Sequence, residues 1–320
     1  MNITSFVDLV ELRTKVINIL LFLFGNLYVV HTFKTFNLLN AVILFFTILL
    51  FDMSTSALNK YIKYKKAFSK ESSDDEIHLS ITYSDLNVNL IKHIILTMFC
   101  IAILLAIYLV YRTDIIIQLL GLLCLSNSLL YTCGPIPISH TPFDEVFFGV
   151  SKGLTLILIS IYIHIFNGDF FTLQFIANHL IIRCNIKDLI GIILVCIPFI
   201  VIIINLMLAH NLCNIKEDLT TKRYTLPIYT GRRNALKLWE LNYYITYIFI
   251  IIAVITKYLP LICLISLITF LPVKHNIDYF LLHNINSKNK NCAMLNFLLI
   301  SSSLILTLAL DVFVKSILFK

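Results

Sequence analysis

The chain has 320 residues, of which 59% are hydrophobic and only 13% charged, with a mean hydropathy of +0.89. Soluble domains carry roughly 25% charged residues, so a water-soluble enzyme is excluded, and 8 Gly with 7 Pro leave little material for long irregular loops. The net charge of +7 would raise nucleic acid as a partner in a soluble protein; in a bilayer protein the basic residues first set topology, and no nucleic-acid partner is expected.

The first fifteen residues, MNITSFVDLVELRTK, contain acids and lack a short apolar core followed by a cleavage site, so they do not read as a cleaved signal peptide. A helix needs about 20 apolar residues to cross the hydrocarbon. That rule predicts spans near 16–33, 38–58, 89–111, 114–133, 145–166, 186–209, 238–256, 258–273 and 293–316. The stretches 40–51 and 191–208 are apolar on every face, which excludes the alternating segments of a membrane β-barrel. The expectation is an all-α polytopic bundle of about nine transmembrane helices, forming one domain over residues 1–320. The third span starts with Ser84, Asp85 and Asn87, a polar cap protruding into water, and the eighth is short and bounded by proline. Eight cysteines form no CxxC pair and lie mostly in apolar runs, so they read as small buried hydrophobes.

Grouping the N-terminus with the loops after even-numbered spans places 18 of the 25 Lys and Arg on one side. Basic residues stay inside, so the prediction is a multi-pass cell-membrane protein with a cytoplasmic N-terminus and an external C-terminus. The two most basic loops, 59–92 and 210–237, then face the cytoplasm. Each starts at an Asn where a long apolar helix ends, Asn59 and Asn211, and four spans separate them. This hints at a duplicated four-helix unit and at one pocket lined from both halves.

In the second loop Asn211, Asn214 and Asp218 fall at i, i+3 and i+7 and share a face if the helix continues. Oxygen donors beside Lys222 and Arg223 suit a hard cation together with an anionic group; a solvated helix end is the plainer alternative. In the first loop Asn59 is followed by Lys60, Lys63, Lys65 and Lys66 with Tyr61 and Tyr64 interleaved. Such a run reads either as a substrate contact or as a patch for the anionic leaflet. Asp52 lies seven residues and about 10 Å of helix below Asn59, on the same face. An intramembrane carboxylate is costly unless it faces a protein interior, which makes Asp52 either functional or a helix partner. Asp311 and Lys315 form an i,i+4 pair in the last span, and His140 sits between Pro137 and Pro142 in a short loop.

Three segments, LLFDMSTSALNKYIKYKKA, TCGPIPISHTPFDE and HNLCNIKEDLTTKRYTLPIYTGRRNALKLWELNYY, together resemble UbiA-type intramembrane prenyltransferases. The likeness is greatest to the 1,4-dihydroxy-2-naphthoate prenyltransferase branch that makes menaquinone precursors. The stretch Arg223-Tyr224-Thr225-Leu226-Pro227, with Gly231 and Ala235, is its most specific part. The resemblance implies nine helices and transfer of a polyprenyl group from its diphosphate to an aromatic acceptor within the membrane. Two Asp-rich motifs of the family hold Mg²⁺ and the diphosphate. No obligate protein partner is implied.

This chain departs from the family pattern at both motifs. Where the first motif resembles Asn-Asn/Asp-x-x-Asp, it has Asn59, Lys60 and Lys63, and a charged Lys cannot ligate Mg²⁺. The second, Asn-x-x-Asp-x-x-x-Asp, reads Asn211, Asn214 and Asp218, with one carboxylate replaced by an amide. His140 stands where the branch carries Arg. One expectation is a transferase in which Lys60, Lys63, Lys222 and Arg223 meet the diphosphate with Asn59, while Asn211, Asn214 and Asp218 hold the metal. Asp52 would then orient the acceptor or take its proton, and Tyr61 or Tyr64 would face the allylic cation. The alternative is an altered family member that binds lipid or regulates without catalysis. A secondary transporter is a third class, opposed by the odd helix count and the few Gly and Pro within spans.

Overall fold

The computed structural model describes residues 15–67, 88–132, 137–168, 170–176, 179–282 and 290–318. Within a bilayer the backbone must satisfy its own hydrogen bonds, so these Ile- and Leu-rich segments are helical despite their β-branching. The helices are α1 (Val16–Thr32), α2 (Leu38–Ala67), α3 (Val88–Arg112), α4 (Ile115–Thr132), α5 (Asp144–Gly153), α6 (Thr155–Ile165), α7 (Ile186–Cys213), α8 (Ile215–Thr220), α9 (Leu226–Thr230), α10 (Arg232–Ile255), α11 (Phe270–Leu282) and α12 (Lys290–Leu318). Two 3₁₀ segments, Ile138–His140 and Leu261–Thr269, precede α5 and α11.

Among the described residues, seven helical segments are long and apolar enough to cross a membrane: Leu38–Ile62, Ile91–Arg112, Asp144–Ile165, Ile186–Cys213, Arg232–Ile255, Leu261–Leu282 and Asn291–Ile317. Val16–Thr32 and Ile115–Asn127 are shorter apolar helices. The chain is therefore an all-α polytopic membrane protein, with an apolar helix at each predicted span and seven of full length. Several boundaries differ from the prediction. The fifth span is two helices, α5 and α6, meeting at Leu154. The eighth is not short: Pro260 opens it, a 3₁₀ segment follows, and α11 carries it to Leu282. Much of both basic loops is helical, because α2 runs on to Ala67 and α10 starts at Arg232. The cap Ser84, Asp85 and Asn87 lies outside the described residues.

One element escaped the sequence reading altogether. Strands β1 (Phe171–Ile176) and β2 (His179–Cys184) pair antiparallel between α6 and α7, with Phe171 opposite Cys184. The cysteines divide: Cys196, Cys263 and Cys292 are buried as expected, Cys100 is exposed, and Cys133 lies outside the described residues.

The chain packs as two compact units, residues 1–19 with 38–112, and residues 20–37 with 113–320. In the first, α2 packs along α3, with Phe51 against Phe99 and Met53 beside Met98. In the second, α7 is the central helix, in contact with α5, α10 and α12. Its N-cap is Asn185, whose side chain accepts from Asp188 N. Apolar burial gives little drive between helices surrounded by lipid, so close approach and polar contacts must fix them. Asn205 of α7 supplies one such contact: its Nδ2 donates to the Trp239 carbonyl at 2.9 Å, and Trp239 Nε1 returns a bond to the Asn205 carbonyl at 3.1 Å. Asn242 adds a third, to Asn205 Oδ1 at 2.9 Å.

The α5–α7 contact depends on two glycines four residues apart. A Cβ on Gly153 would lie 2.9 Å from Ile200 Cα and 3.0 Å from Ile200 N; one on Gly149 would lie 2.9 Å from the Ile200 carbonyl oxygen and 2.4 Å from Ile204 Cγ1. Only hydrogen at these positions lets the two backbones meet. One buried polar chain elsewhere in this unit is fully paired: Asn37 N donates to His164 Nδ1 at 2.9 Å, which leaves Nε2 to donate to Asn26 Oδ1 at 2.8 Å.

Candidate functional site

The α5–α7 contact places the start of one helix beside the end of the other. Asp144 and Glu145 are the first two residues of α5, and Asn211 lies in the last turn of α7; all three are fully buried. Carboxylates at a helix N-terminus meet the positive end of its dipole. Asn211 Nδ2 donates to both, to Asp144 Oδ2 at 3.1 Å and to Glu145 Oε1 at 2.8 Å.

α7 stops at Cys213 because Asn214 leaves helical geometry (φ −111°, ψ 13°), and the helical backbone resumes as α8 at Ile215. Asp218, in α8, is 2% exposed. The helix closes with Arg223 N donating to the Asp218 carbonyl and Lys222 N donating to the Leu219 carbonyl, the two bonds of a Schellman cap. Lys222 takes its left-handed position at φ +56°, where glycine is the usual residue.

That reversal turns Arg223 back over the site. Arg223 Nη1 lies 3.5 Å from Asp218 Oδ1, Nη2 lies 3.5 Å from Asp144 Oδ2, and Nε donates to the Ser139 carbonyl at 3.1 Å. Thr225 Oγ1 donates to Asp218 Oδ2 at 3.3 Å, and Tyr224 N donates to the His140 carbonyl at 3.1 Å. The Pro-flanked loop before α5 is thus clamped to the basic loop after α8. The Tyr131 hydroxyl lies near Asp144, and the Leu226 N–H near Glu145. Neither completes a bond to the outer oxygens: Asp144 Oδ1, Glu145 Oε2 and Asn211 Oδ1 have no hydrogen-bond partner among the described residues.

The sequence-predicted residues divide between the two units. Asn211, Asp218 and Arg223 come together in the second unit, and Lys222 is exposed beside them. The helix breaks at Asn214, so the continuous-helix spacing does not apply there; its Nδ2 meets His210 Nε2 at 3.0 Å. His140 is exposed. In the first unit Asn59 is exposed and Lys60 half-buried, both within α2 rather than a loop, while the side chains of Lys63 and Tyr64 lie outside the described residues. Asp52 is held by two partners, Asn18 Nδ2 and Lys15 Nζ, each 2.9 Å from Oδ2. Lys15 is 3% exposed and also donates to Ser56 Oγ at 2.6 Å, which fits the helix-partner reading. The Tyr61 ring carries the Lys92 ammonium 5.9 Å from its centroid. Asp311 pairs with Lys315 as expected, at 2.8 Å, and additionally with His31 at 2.8 Å.

Sequence reasoning missed Asp144 and Glu145, the most deeply buried acids of the site. The signal was an Asp-Glu pair immediately ahead of an apolar run, the usual acidic first turn of a helix. Among the described residues no three His, Cys, Asp or Glu side chains gather as a metal centre. The oxygen chemistry nevertheless fits Mg²⁺ in part: Asn211 offers an unpartnered amide oxygen and Asp218 a buried carboxylate.

No family model matches the chain. It is 29% identical over 220 residues to a 1,4-dihydroxy-2-naphthoate octaprenyltransferase of Bacillus subtilis (strain 168), a match covering 69% of this chain and 64%, just under two thirds, of that relative. Among solved structures it is similar to a UbiA homologue from Aeropyrum pernix K1, with a TM-score of 0.65 at 13% identity, covering 91% of this chain and 98% of the other. A UbiA homologue from Archaeoglobus fulgidus bound to GPP and Mg²⁺ gives a TM-score of 0.58 at 12% identity, covering 96% and 99%. A digeranylgeranylglyceryl phosphate synthase gives 0.57 at 11%, covering 97% and 98%. The structural matches carry the fold, and the sequence likeness to the B. subtilis relative points the same way: this chain is similar to UbiA-type intramembrane prenyltransferases.

Proposed function

We propose that this protein transfers a polyprenyl group from its diphosphate to an aromatic acceptor within the membrane, the acceptor being 1,4-dihydroxy-2-naphthoate of menaquinone biosynthesis. The likeness to the B. subtilis octaprenyltransferase supports acceptor and donor class. The observation that carries the reading is the site itself: Asn211, Asp218 and Arg223 gathered where a long apolar helix ends. A diphosphate leaving group gathers negative charge as the allylic C–O bond loosens, and fixed cationic groups stabilise that charge. Arg223, already oriented by the Ser139 carbonyl, and exposed Lys222 bind the diphosphate in this proposal. Lys60 and Lys63 supply positive charge in place of carboxylates in the first motif, and Asn59 adds a neutral polar contact to the diphosphate. Mg²⁺, held by Asn211, Asn214 and Asp218, would neutralise phosphate oxygens when bound. Asp52 remains a proposed acceptor-orienting residue, and residues 1–320 act as one domain with the N-terminus cytoplasmic.

A second reading is an altered family member that binds lipid or regulates without transfer. Two contacts favour it: Arg223 is already paired with Asp144 and Asp218, and Asn214 is turned to His210. Purified protein incubated with radiolabelled polyprenyl diphosphate and a panel of aromatic acceptors, with Mg²⁺ or with EDTA, separates the two. Saturable prenylated product supports the transferase. Absence of product with every acceptor, in folded protein that binds the donor, supports the second reading.

A further inference from the structure

We infer that the exposed face of α10 is a docking surface for an anionic phospholipid, with Arg233 and Lys237 holding the phosphate and the apolar residues that follow them lying against an acyl chain. The surface shares no residue with the site proposed for transfer, and it stands whether or not the chain is a transferase.

The first argument is the division of α10 into two faces. Ala235, Trp239, Tyr243, Thr246, Ile250 and Ala253 are buried. At about 3.6 residues per turn the opposite side carries Arg233, Lys237, Leu241, Ile248, Ile251 and Ile255, and all six are exposed. Arg232–Ile255 is long and apolar enough to cross a membrane, so an exposed apolar stripe on it meets hydrocarbon. From Leu241 to Ile255 the helix rises about 21 Å, more than the roughly 15 Å of one leaflet's hydrocarbon. An acyl chain therefore finds apolar side chains along its whole length.

The second argument is charge complementarity. Residues four apart on a helix have Cβ atoms about 6 Å apart, so Arg233 and Lys237 can reach one phosphate, the first as a fork and the second as a point charge. Among the described residues no side chain pairs with either. Glu240, the one acid of α10, is turned elsewhere: its Oε1 accepts from the Tyr244 hydroxyl at 2.9 Å and from Lys274 Nζ at 3.2 Å. Lys274 also meets Asp278 at 3.0 Å and the Tyr244 hydroxyl at 3.1 Å. Across α10 and α11, Arg232, Arg233, Lys237 and Lys274 stand against Glu240 and Asp278, a surplus of two positive charges.

The third argument is where that surplus sits. Arg232 and Arg233 open the first turn of α10, which contains no acid. The positive end of a helix dipole disfavours cations, so these residues raise an already positive potential that the protein itself does not offset. Basic residues at the end of a membrane helix attract anionic headgroups. Phosphate-binding side chains and then an apolar stripe follow one another on α10 in the order of a phospholipid's own parts.

The test is native mass spectrometry of the detergent-purified full chain, titrated with dioleoylphosphatidylglycerol or dioleoylphosphatidylcholine. The anionic lipid should bind saturably and at least about tenfold more tightly than the zwitterionic one. That preference should vanish in the Arg233→Gln, Lys237→Gln double variant and persist in Lys257→Gln, an exposed cation just beyond the other end of α10. Equal binding of the two lipids, or a preference indifferent to the double substitution, overturns the proposal. Glycerol phosphate at matching concentration should not displace the lipid; equal competition assigns the cations to free phosphate and overturns the lipid site. A dimer that the double variant dissociates gives the face to a second copy of the chain, which also overturns it. If the double variant misfolds, the wild-type chain decides: its preference must weaken as ammonium acetate is raised, and a salt-independent preference refutes the charge argument. No prenyl substrate is present, so failure of this surface and failure of the transferase reading are distinct results.

Discussion

Gly153→Ala tests whether backbone contact between α5 and α7 holds the site together. A methyl group there would lie 2.9 Å from Ile200 Cα and 3.0 Å from both its N and its Cγ1. Two of those three atoms are backbone, so no rotamer change relieves the overlap and the helices must part. Overpacking of this kind costs about 1–3 kcal/mol, against a gain of up to about 1 kcal/mol from replacing Gly by Ala in a helix. The matching control is Gly121→Ala in α4, where a new Cβ meets nothing within 4 Å. The same chemical change there carries the propensity gain without the clash, so the two variants should differ by about 1–3 kcal/mol. Equilibrium unfolding in mixed micelles, read by the fluorescence of the single Trp, reports this directly, because Trp239 is buried in the same unit and stacked 4.3 Å from Phe280. Equal stability of the two variants, within about 0.5 kcal/mol, would refute close backbone packing as the basis of the α5–α7 arrangement.

Removing the Asp52 charge leaves a buried Lys15 ammonium without its carboxylate. Asp52→Asn should lose about 1–3 kcal/mol, and Lys15→Met in that background should recover part of it; additive losses in thermal unfolding would dismiss the pair. Lys222→Gly should stabilise the fold by about 1 kcal/mol, because it relieves a left-handed non-glycine residue, yet weaken prenyl-diphosphate binding. Unchanged affinity for the diphosphate would reduce Lys222 to a helix cap. Asn214→Asp returns a carboxylate to the second motif and should lower the Mg²⁺ concentration that half-saturates transfer; an unaltered Mg²⁺ requirement would exclude residue 214 from metal binding. A Lys60→Ala, Lys63→Ala double variant should lose most transfer activity, and full activity would end the charge-replacement idea.

Much of the architecture was legible because lipid imposes one rule on the backbone. A run of apolar residues long enough to span must be helical, and the apolar parts of the helices that begin at Leu38 and Ile186 can be located from hydropathy alone. The β1–β2 hairpin lay outside the reach of that rule, since six-residue strands are too short for any span-length criterion. The site was half legible. Asn211, Asp218 and Arg223 stand in a recognisable motif; Arg223 meets Asp218, and Asn211 and Arg223 both meet Asp144. The break at Asn214 was not legible, because spacing along a continuous helix says nothing about where a helix breaks.

By itself the sequence determined the membrane class, the order of the apolar helices and the motif residues, because composition and local periodicity carry that information. Only the tertiary structure decided which polar groups share a dielectric environment. It paired Lys15 with Asp52, turned Arg223 back onto Asp218 through a left-handed Lys222, and set Asp144 and Glu145 against Asn211, 67 and 66 residues away along the chain. Burial fixes how strongly such groups act on one another, and burial is a property of helices brought together, not of any one segment.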